Sequence, residues 1–374
     1  MAGLYLHIPF CHSACHYCDF HFSTNLRFRS EMIRAMCKEI ELQSSKFRNL
    51  TFSTIYFGGG TPSILTFDEL KALLASARLN LNIEPDIEQT LEANPEDISP
   101  EKCDQLFELG FNRISLGVQS FNDLMLKKLN RVHNGIQAYK AIESITSSGI
   151  TNVSIDLIFG LPDQTLSNWN TELNSFLELD LPHLSAYSLT IEEGTHFDYL
   201  KKSGAISIAE DERYLAMFHH AQKVMNNNGI PQYEISNYSK EGYRSKHNQS
   251  YWKGTPYLGI GPSAHSYTEN QRWWNVSSNT KYIQSIQRGD SFYDSETLNR
   301  VEQFNEFLLT RLRTIEGIQR KNLEEYSDIH ADDFWKQVEV FENDGLLEVN
   351  DQNIRISSSG LYLSDYISTS LFAE

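Results

Sequence analysis

The sequence predicts an α/β protein whose core is a parallel sheet. In the first half of the 374-residue chain, segments typical of buried strands alternate six times with segments of helical periodicity. Such an alternation is expected of a parallel sheet, because parallel neighbours need crossover helices. Polar side chains and glycines also follow the strands where they end, as ligand-handling residues do in a barrel. The pattern alone fits both a barrel and an open, doubly wound sheet.

Six strands are predicted from short runs of apolar residues, at 4–8, 54–57, 87–93, 113–117, 153–159 and 184–189. Apolar residues three and four apart predict the intervening helices, at 31–42, 67–77, 103–110, 135–148 and 169–177. Gly110 and Gly149 stand where two of these helices end, a position that favours glycine.

The pattern changes near residue 195. A helix is predicted at 210–225, and residues 228–275, rich in Gly, Tyr, Trp, Asn and Ser, are expected to form irregular loops with short strands. A second helical region begins near 296, and a helix at 331–341 followed by strands at 345–349 and 354–356 resembles a winged helix. We therefore expect a core at 1–195, a connecting region at 196–295 packed on the core, and a smaller, mostly helical domain with a winged-helix-like end at 296–374.

Composition excludes several classes of function. The formal net charge is −17, with 49 acidic and 32 basic residues, and this balance disfavours a nucleic-acid-binding surface. A packing or interaction role is therefore favoured for the winged-helix-like end. No apolar run of about 18 residues is present, so no membrane span is predicted. The chain starts without a basic, signal-like segment, and a cytoplasmic location is expected.

Three cysteines form the strongest motif. Cys11, Cys15 and Cys18 have the spacing Cys-x3-Cys-x2-Cys directly after the first predicted strand. Three thiolates can hold three irons of a [4Fe-4S] cluster, and without a fourth cysteine nearby one iron keeps an open position. A zinc site completed by His12 and His16 is the alternative, although the spacing lacks the paired Cys-x2-Cys of most zinc sites.

The two other cysteines, Cys37 and Cys103, fall within helical patterns and are predicted to be buried, small apolar residues.

The cysteine spacing, with Tyr17 directly before the third cysteine, resembles the radical S-adenosylmethionine (SAM) superfamily. This resemblance implies a (β/α)6-type partial barrel as the core. It also implies a [4Fe-4S] cluster whose open iron is chelated by the amino and carboxylate groups of SAM, so that an electron from the cluster can yield a 5'-deoxyadenosyl radical.

A glycine turn after the second strand extends the resemblance through Gly59, Gly60 and Thr61. Glycines let a backbone approach a ligand closely, and exposed N–H groups there could meet the amino acid end of SAM.

Polar residues at the later strand ends continue the match. By resemblance, Glu92, Gln119, Arg131 and Asp156 contact SAM or its surroundings, while Tyr5 and Thr190 match less closely. Their chemistry fits, since carboxylates accept hydrogen bonds from ribose hydroxyls or an amine and Arg pairs with a carboxylate. Taken singly, each could instead be a capping or salt-bridging residue.

Within the superfamily, the whole chain resembles the oxygen-independent coproporphyrinogen III oxidase group, of which the run at 5–11 is typical. Two departures stand out. Phe20 occupies the place of the oxidase's fourth cysteine, and only ten residues precede Cys11 where the oxidase has a substantial extension. Both departures resemble a heme chaperone branch of the group.

A third clue is the sequence His-Asn-Gln-Ser-Tyr-Trp at 247–252, which resembles a motif associated with heme binding. His247 could be an axial ligand of heme iron, and Tyr251, Trp252 and Tyr257 could pack on the macrocycle. Without the resemblance, His247 would be one of 12 histidines in a polar loop.

Two functions are therefore predicted. The leading one is a heme chaperone that carries a [4Fe-4S] cluster and SAM and passes heme to an acceptor protein. The alternative is an enzyme of porphyrin biosynthesis that decarboxylates the propionates of coproporphyrinogen III oxidatively. If SAM is cleaved, an electron donor such as a flavodoxin or ferredoxin is implied. An electron-transfer module fits poorly, because it would need neither the open iron nor the SAM-binding residues.

Overall fold

The computed structural model describes residues 1–207, 211–329 and 332–374. Its centre is a sheet of six parallel strands that are adjacent in chain order. They are β1 (Ala2–Ile8), β2 (Phe52–Gly59), β3 (Ile83–Ala93), β4 (Arg113–Gln119), β5 (Asn152–Phe159) and β6 (His183–Ser188). The six predicted strands and their parallel pairing are thus confirmed.

The order of these strands distinguishes the two architectures that the sequence left open. In a doubly wound sheet the strand order reverses and helices cover both faces. Here the order never reverses, and right-handed crossovers then keep the helices on one face. The sheet has open ends, so the core is a partial barrel.

Six helices accompany the parallel strands. They are α1 (Arg29–Gln43), α2 (Phe67–Asn80), α3 (Pro100–Glu108), α4 (Asp123–Lys128), α5 (Gly135–Ser147) and α6 (Leu166–Glu178). Thr66, Asn134 and Thr165 start α2, α5 and α6 with reciprocal capping boxes, which satisfy the free amides of the first turn. Gly110 and Gly149 take a positive φ after α3 and α5, as their positions suggested.

Residues 196–297 extend both edges of the sheet. They contain α7 (His196–Lys202), α8 (Asp211–Asn227), β7 (Gln232–Glu234), β8 (Asn237–Ser239), α9 (Lys246–Trp252), β9 (Tyr257–Ile260), β10 (His265–Thr268), β11 (Gln271–Asn275), α10 (Asn279–Arg288) and β12 (Tyr293–Thr297). Strand β8 pairs antiparallel with β6, and β9 pairs parallel with β1. The start of the helix predicted at 210–225 lies outside the described residues.

The C-terminal region combines helices with a small antiparallel sheet of order β13-β15-β14. Its elements are α11 (Arg300–Arg311), β13 (Ile318–Gln319), α12 (Arg320–Leu323), α13 (Asp332–Asn343), β14 (Leu347–Val349), β15 (Asn353–Ile356) and α14 (Ser364–Ser370). The helix followed by two short strands was predicted, although residue 331 lies outside the described part. Because Phe304 and Leu308 belong to the same apolar core as β1, the boundaries between the three predicted domains stay predictions.

The two faces of the parallel sheet differ in chemistry. On β2, Ile55 and Phe57 belong to the apolar core, whereas Thr54 and Tyr56 alternate with them on the other face. The inner face therefore carries polar and aromatic side chains. Cys103 is fully buried as predicted, but Cys37 is only half-buried, because its thiol lies at the rim of the contact between α1 and α2. None of the helices described is long and apolar enough to cross a membrane.

Candidate functional site

A cavity of about 390 Å³ opens at the carboxyl ends of the parallel strands. We call it the strand-end cavity. It brings together twelve of the fourteen residues predicted to bind the cluster, SAM or heme iron, which are Cys11, Cys15, Tyr17, Cys18, Gly59, Gly60, Thr61, Glu92, Gln119, Arg131, Asp156 and Thr190. The two others, Tyr5 and His247, do not line it.

The three cysteines lie half-buried on the loop that follows β1, with free thiols. Burial raises the pKa of Cys11 and of Cys18 to about 11, so iron binding must displace their protons. Arg131 donates from Nη1 to Cys15 Sγ at 3.4 Å, which ties the loop to the cavity wall. Three soft thiols on one loop suit the irons of a cluster.

The zinc alternative does not fit the positions of the histidines. His12 Nε2 lies 2.8 Å from Asp97 Oδ1, and His16 Nδ1 lies 2.9 Å from the carbonyl oxygen of Lys128. Neither ring lines the cavity. Within the described ranges, no three Cys, His, Asp or Glu side chains converge as they would on a single ion. A cluster needs no such convergence, because each thiol binds its own iron.

The glycine turn leaves space for the cysteine loop. A Cβ on Gly60 would lie 2.7 Å from Phe10 O and 3.0 Å from Cys11 Sγ, so only glycine lets the cysteine loop pack here. The expectation of exposed N–H groups is wrong. Gly60 N donates to Ile8 O at 2.9 Å, Thr61 N to Phe10 O at 2.7 Å, and Gly59 N to Glu92 Oε2 at 3.2 Å. These amides hold the loop and a carboxylate instead of a ligand.

Two half-buried carboxyl groups line the cavity. Burial raises the pKa of Glu92 to about 7 and also raises that of Asp156. Tyr56 donates its hydroxyl to Glu92 Oε1 at 2.7 Å, and Ser115 donates to Asp156 Oδ1 at 3.2 Å. Each carboxyl group keeps acceptor capacity for a ligand, since an ionised carboxylate has about four lone-pair sites.

Arg131 supplies the cation of the cavity. Its Nη2 donates to Asn94 Oδ1 at 2.6 Å and to Gly117 O at 2.9 Å, while its buried Nε has no hydrogen-bond partner in the described part of the chain. A buried guanidinium with an unused donor fits an anionic group, such as the carboxylate of SAM. Gln119 lies in this wall with a φ of +66°, a conformation that few non-glycine residues adopt.

Sequence reasoning missed several residues of the cavity. Asn94 links Arg131 to Thr61, whose Oγ1 accepts from Asn94 Nδ2 at 3.2 Å. Ser115, Gly117 and Tyr187 also line the cavity. The alternation of side chains along β4 and β6 could have identified these three residues. Each lies two positions along its strand from another residue of the inner face, and residues two apart share a face.

Tyr5 lies outside the strand-end cavity. Its ring stacks on that of Tyr56, with centroids 6.1 Å apart, and its hydroxyl lies 3.2 Å from His7 Nδ1. Burial raises its pKa well above the usual value. Tyr5 therefore supports the residue that holds Glu92.

His247 lies inside the barrel with 1% of its surface exposed. Its Nδ1 lies 2.8 Å from Thr54 Oγ1, its Nε2 lies 2.9 Å from the hydroxyl of Tyr251, and its ring stacks on Tyr56 at 4.9 Å. Burial lowers its pKa to about 3, so the ring is neutral. Both nitrogens are engaged in this conformation, and the assignment of His247 as an iron ligand stays a prediction.

A second cavity, of about 1190 Å³, lies between the edge of the barrel and the C-terminal helices. We call it the aromatic cleft. Its lining includes Tyr5, His7, His21, Tyr251, Trp252, Tyr257, His265, Tyr267, Phe307 and Tyr326. Asp19 and Phe20 line both this cleft and the strand-end cavity. The Phe20 side chain is 66% exposed, so an apolar ring stands where the two cavities meet.

Comparisons with known families give two matches. Residues 5–174 match the radical SAM superfamily, and residues 298–363 match the HemN C-terminal domain.

Several curated proteins are similar over most of their length. The heme chaperone HemW of Bacillus subtilis is 34% identical over 378 residues, covering 100% of both chains. That of Escherichia coli is 32% identical, covering 88% of this chain and 87% of its own. Radical S-adenosyl methionine domain-containing protein 1, mitochondrial, from Danio rerio is 32% identical, covering 100% and 87%.

Among solved structures, coproporphyrinogen III oxidase (HemN) from Escherichia coli, described as a radical SAM enzyme, superimposes with a TM-score of 0.85. It covers 99% of this chain and 90% of its own at 23% identity, which supports a shared fold.

Proposed function

The chain belongs to the HemW family of the radical SAM superfamily, and we propose that it is a heme chaperone, which binds heme and passes it to an acceptor protein. The observation that carries this proposal is the 34% identity to a curated heme chaperone over the full length of both chains. A cytoplasmic location and an acceptor protein belong to the same proposal.

The strand-end cavity fits a [4Fe-4S] cluster and SAM. Cys11, Cys15 and Cys18 would hold three irons, and Arg131 would pair with the carboxylate of SAM. When bound, the two groups together supply reductive cleavage of a carbon–sulfur bond, for which an electron donor such as a flavodoxin or ferredoxin is needed.

The remaining residues of the cavity bind and orient SAM. Glu92 and Asp156 accept hydrogen bonds from ribose hydroxyls or from the amino group, and Gln119 can both donate and accept. Tyr17 and Thr190 complete the walls beside the cysteine loop and beyond β6.

Phe20 favours a chaperone over an oxidase. It stands at the position where the oxidase group has a fourth cysteine, and it places an apolar ring at the cleft. An apolar ring provides a surface on which a porphyrin can pack.

The experiment that tests the proposal is an anaerobic titration of hemin into the cluster-reconstituted protein. We expect saturable binding of one heme per chain, tighter than to an unrelated protein of similar charge. The same titration of His247→Ala shows whether His247 contributes to the affinity for hemin. Tyr251→Phe is the comparison variant, because it removes only the hydroxyl to which His247 is hydrogen-bonded. Binding no tighter than to the unrelated protein would contradict a chaperone.

The oxidase alternative needs its own assay. Coproporphyrinogen III, SAM and a reductant are incubated with the protein beside an active oxidase. We expect no protoporphyrinogen IX from this chain; its formation at a rate near that of the control would favour the oxidase.

A further inference from the structure

We propose that heme binds in the aromatic cleft with its iron ligated by His265. This inference rests on the proposed function, and it assigns both a location and an iron ligand to the heme. The cleft is large for a small-molecule site, since such pockets usually enclose about 300–1,000 Å³ and this one encloses about 1190 Å³.

Among the cleft histidines, His265 is the one with both ring nitrogens open in the described part of the chain, whereas His21 is engaged at one nitrogen and His7 at two. His7 is engaged at both, with Nδ1 near Tyr5 Oη and Nε2 2.8 Å from His21 O. His21 Nε2 lies 2.8 Å from Asn279 Oδ1. Neither nitrogen of His265 has a hydrogen-bond partner in the part of the chain that the structure describes, and its exposed ring stacks on Trp274 at 6.2 Å. An unengaged imidazole held by an aromatic neighbour can ligate iron without breaking a hydrogen bond.

The strand that carries His265 also builds an aromatic wall. His265 and Tyr267 alternate along β10 and so project from one face, and Tyr267 pairs with Tyr257 of β9. Tyr251 meets Tyr257 edge to face, with ring centroids 4.6 Å apart. Flat rings next to an imidazole suit a macrocycle that must pack and coordinate at the same time.

The opposite wall comes from the C-terminal region. Gln303, Glu306, Phe307 and Thr310 line the cleft from one face of α11, as their spacing of three and four residues requires. The ring of Tyr326 packs on Phe307 with centroids 5.2 Å apart. The porphyrin would therefore be enclosed between the edge strands of the barrel and α11.

The charges in the cleft give the heme an orientation. Lys253 and Arg311 are its two Lys or Arg residues, and Arg311 donates to the backbone oxygens of Trp252 and Lys253 at 3.0 and 2.7 Å. Glu306 Oε1 lies 2.7 Å from Arg272 Nη2, so the charge of Glu306 is paired. The other acidic residues of the lining are Asp19, Glu269 and Glu325. The anionic propionates would therefore point toward Lys253 and Arg311.

This arrangement gives His247 a positioning role. Tyr251 lines the cleft, whereas the buried ring of His247 lies 2.9 Å from its hydroxyl. His247 would thus hold Tyr251 against the macrocycle without touching the iron.

The test is a hemin titration of the full-length wild type, His265→Ala and His21→Ala, followed by Soret absorption and by the spin state in electron paramagnetic resonance. His265 is exposed, so its replacement should leave the fold intact, which circular dichroism checks. We expect His265→Ala to bind hemin about tenfold more weakly or worse, with an altered spectrum that added imidazole restores. We expect His21→Ala to keep the wild-type spectrum, because the iron ligand is retained, and we expect His220→Ala, on α8 and outside both cavities, to match the wild type in affinity as well.

The outcomes separate this inference from the proposed function. If the wild type binds no hemin, both fail. If the wild type binds hemin and His265→Ala keeps its affinity and spectrum, only the location and ligand are wrong. An altered spectrum in His21→Ala with an unchanged one in His265→Ala would also overturn the assignment.

Discussion

Glu92 is placed both to support the barrel and to bind the SAM that we propose for the strand-end cavity. It lies half-buried on the inner face, where Tyr56 and the amide of Gly59 donate to its two oxygens. Burial raises its pKa to about 7, so its ionisation changes near neutral pH. The ionised form is the better acceptor for the hydroxyls or the amino group of SAM.

We predict that Glu92→Gln weakens SAM binding by about 10- to 100-fold above pH 7, the loss expected of a hydrogen bond to a charged group. Wild-type affinity should rise as the pH increases through 7, and this rise should be much smaller in Glu92→Gln. Calorimetric titration of the cluster-loaded protein at pH 6 and pH 8 measures both effects.

Glu193→Gln is the control, because Glu193 is exposed and does not line the cavity. An affinity for SAM that falls equally in both variants would contradict the role given to Glu92.

At the scale of elements, a fully buried carboxyl group joins α1 to the edge of the sheet. Glu39 accepts hydrogen bonds from Gly261 N at 2.8 Å, from Asn275 Nδ2 at 2.6 Å and from the hydroxyl of Tyr282. One residue of α1 therefore contacts three separate segments: the residue after β9, the end of β11, and α10.

Burial raises the pKa of Glu39 to about 7 from an ordinary 4.5. A raised carboxyl pKa means that the folded state binds the proton more tightly, so this group's contribution to stability is present below pH 4.5 and is lost as the pH rises to 7. Between pH 5 and pH 8 the free energy of unfolding of the wild type should fall. We predict that this fall is smaller in Glu39→Gln by about 3 kcal/mol. Urea unfolding at the two pH values measures this difference.

Glu41→Gln is the matched control on the same helix, since Glu41 is exposed and pairs with Lys38 at 2.8 Å. It should keep the wild-type dependence on pH. The same dependence in Glu39→Gln would show that Glu39 does not titrate in this range.

The sequence predicted the six parallel strands because their apolar runs are local. It could not predict that Tyr5 of β1 pairs with Gly259 of β9, since that contact joins residues more than 250 positions apart. The burial of His247 could not be predicted for the same reason, because it depends on contacts with Thr54 and Tyr56 on a distant strand. The meeting of the cavity residues could be predicted, because parallel strands bring their carboxyl ends together whatever the distance along the chain.

At the scale of the whole molecule, the two cavities are lined by different parts of the chain. The strand-end cavity is lined by residues up to Glu192, whereas the aromatic cleft draws on α11 and the residues after α12. Arg311 fixes this second wall, since it binds backbone oxygens at the end of α9.

We predict that Arg311→Ala weakens hemin binding by about tenfold, because it removes a cation and loosens the wall of the cleft. The affinity for SAM and the iron–sulfur absorption should stay unchanged. Separate titrations with hemin and with SAM test this, with Arg355→Ala as a control whose side chain pairs with Glu348 on β14. A parallel loss of SAM affinity would show that Arg311 also supports the strand-end cavity, and it would contradict the role given to Arg311 in the cleft alone.

The segment Asp19–Phe20 faces both cavities, and this position has a thermodynamic consequence. Any ligand that shifts the Phe20 ring from one side changes the free energy of binding on the other. Such coupling is reciprocal: if SAM alters the affinity for heme by some factor, heme must alter the affinity for SAM by the same factor. Loading and release of the porphyrin could then be controlled by the state of the cluster site, with a single aromatic side chain as the link.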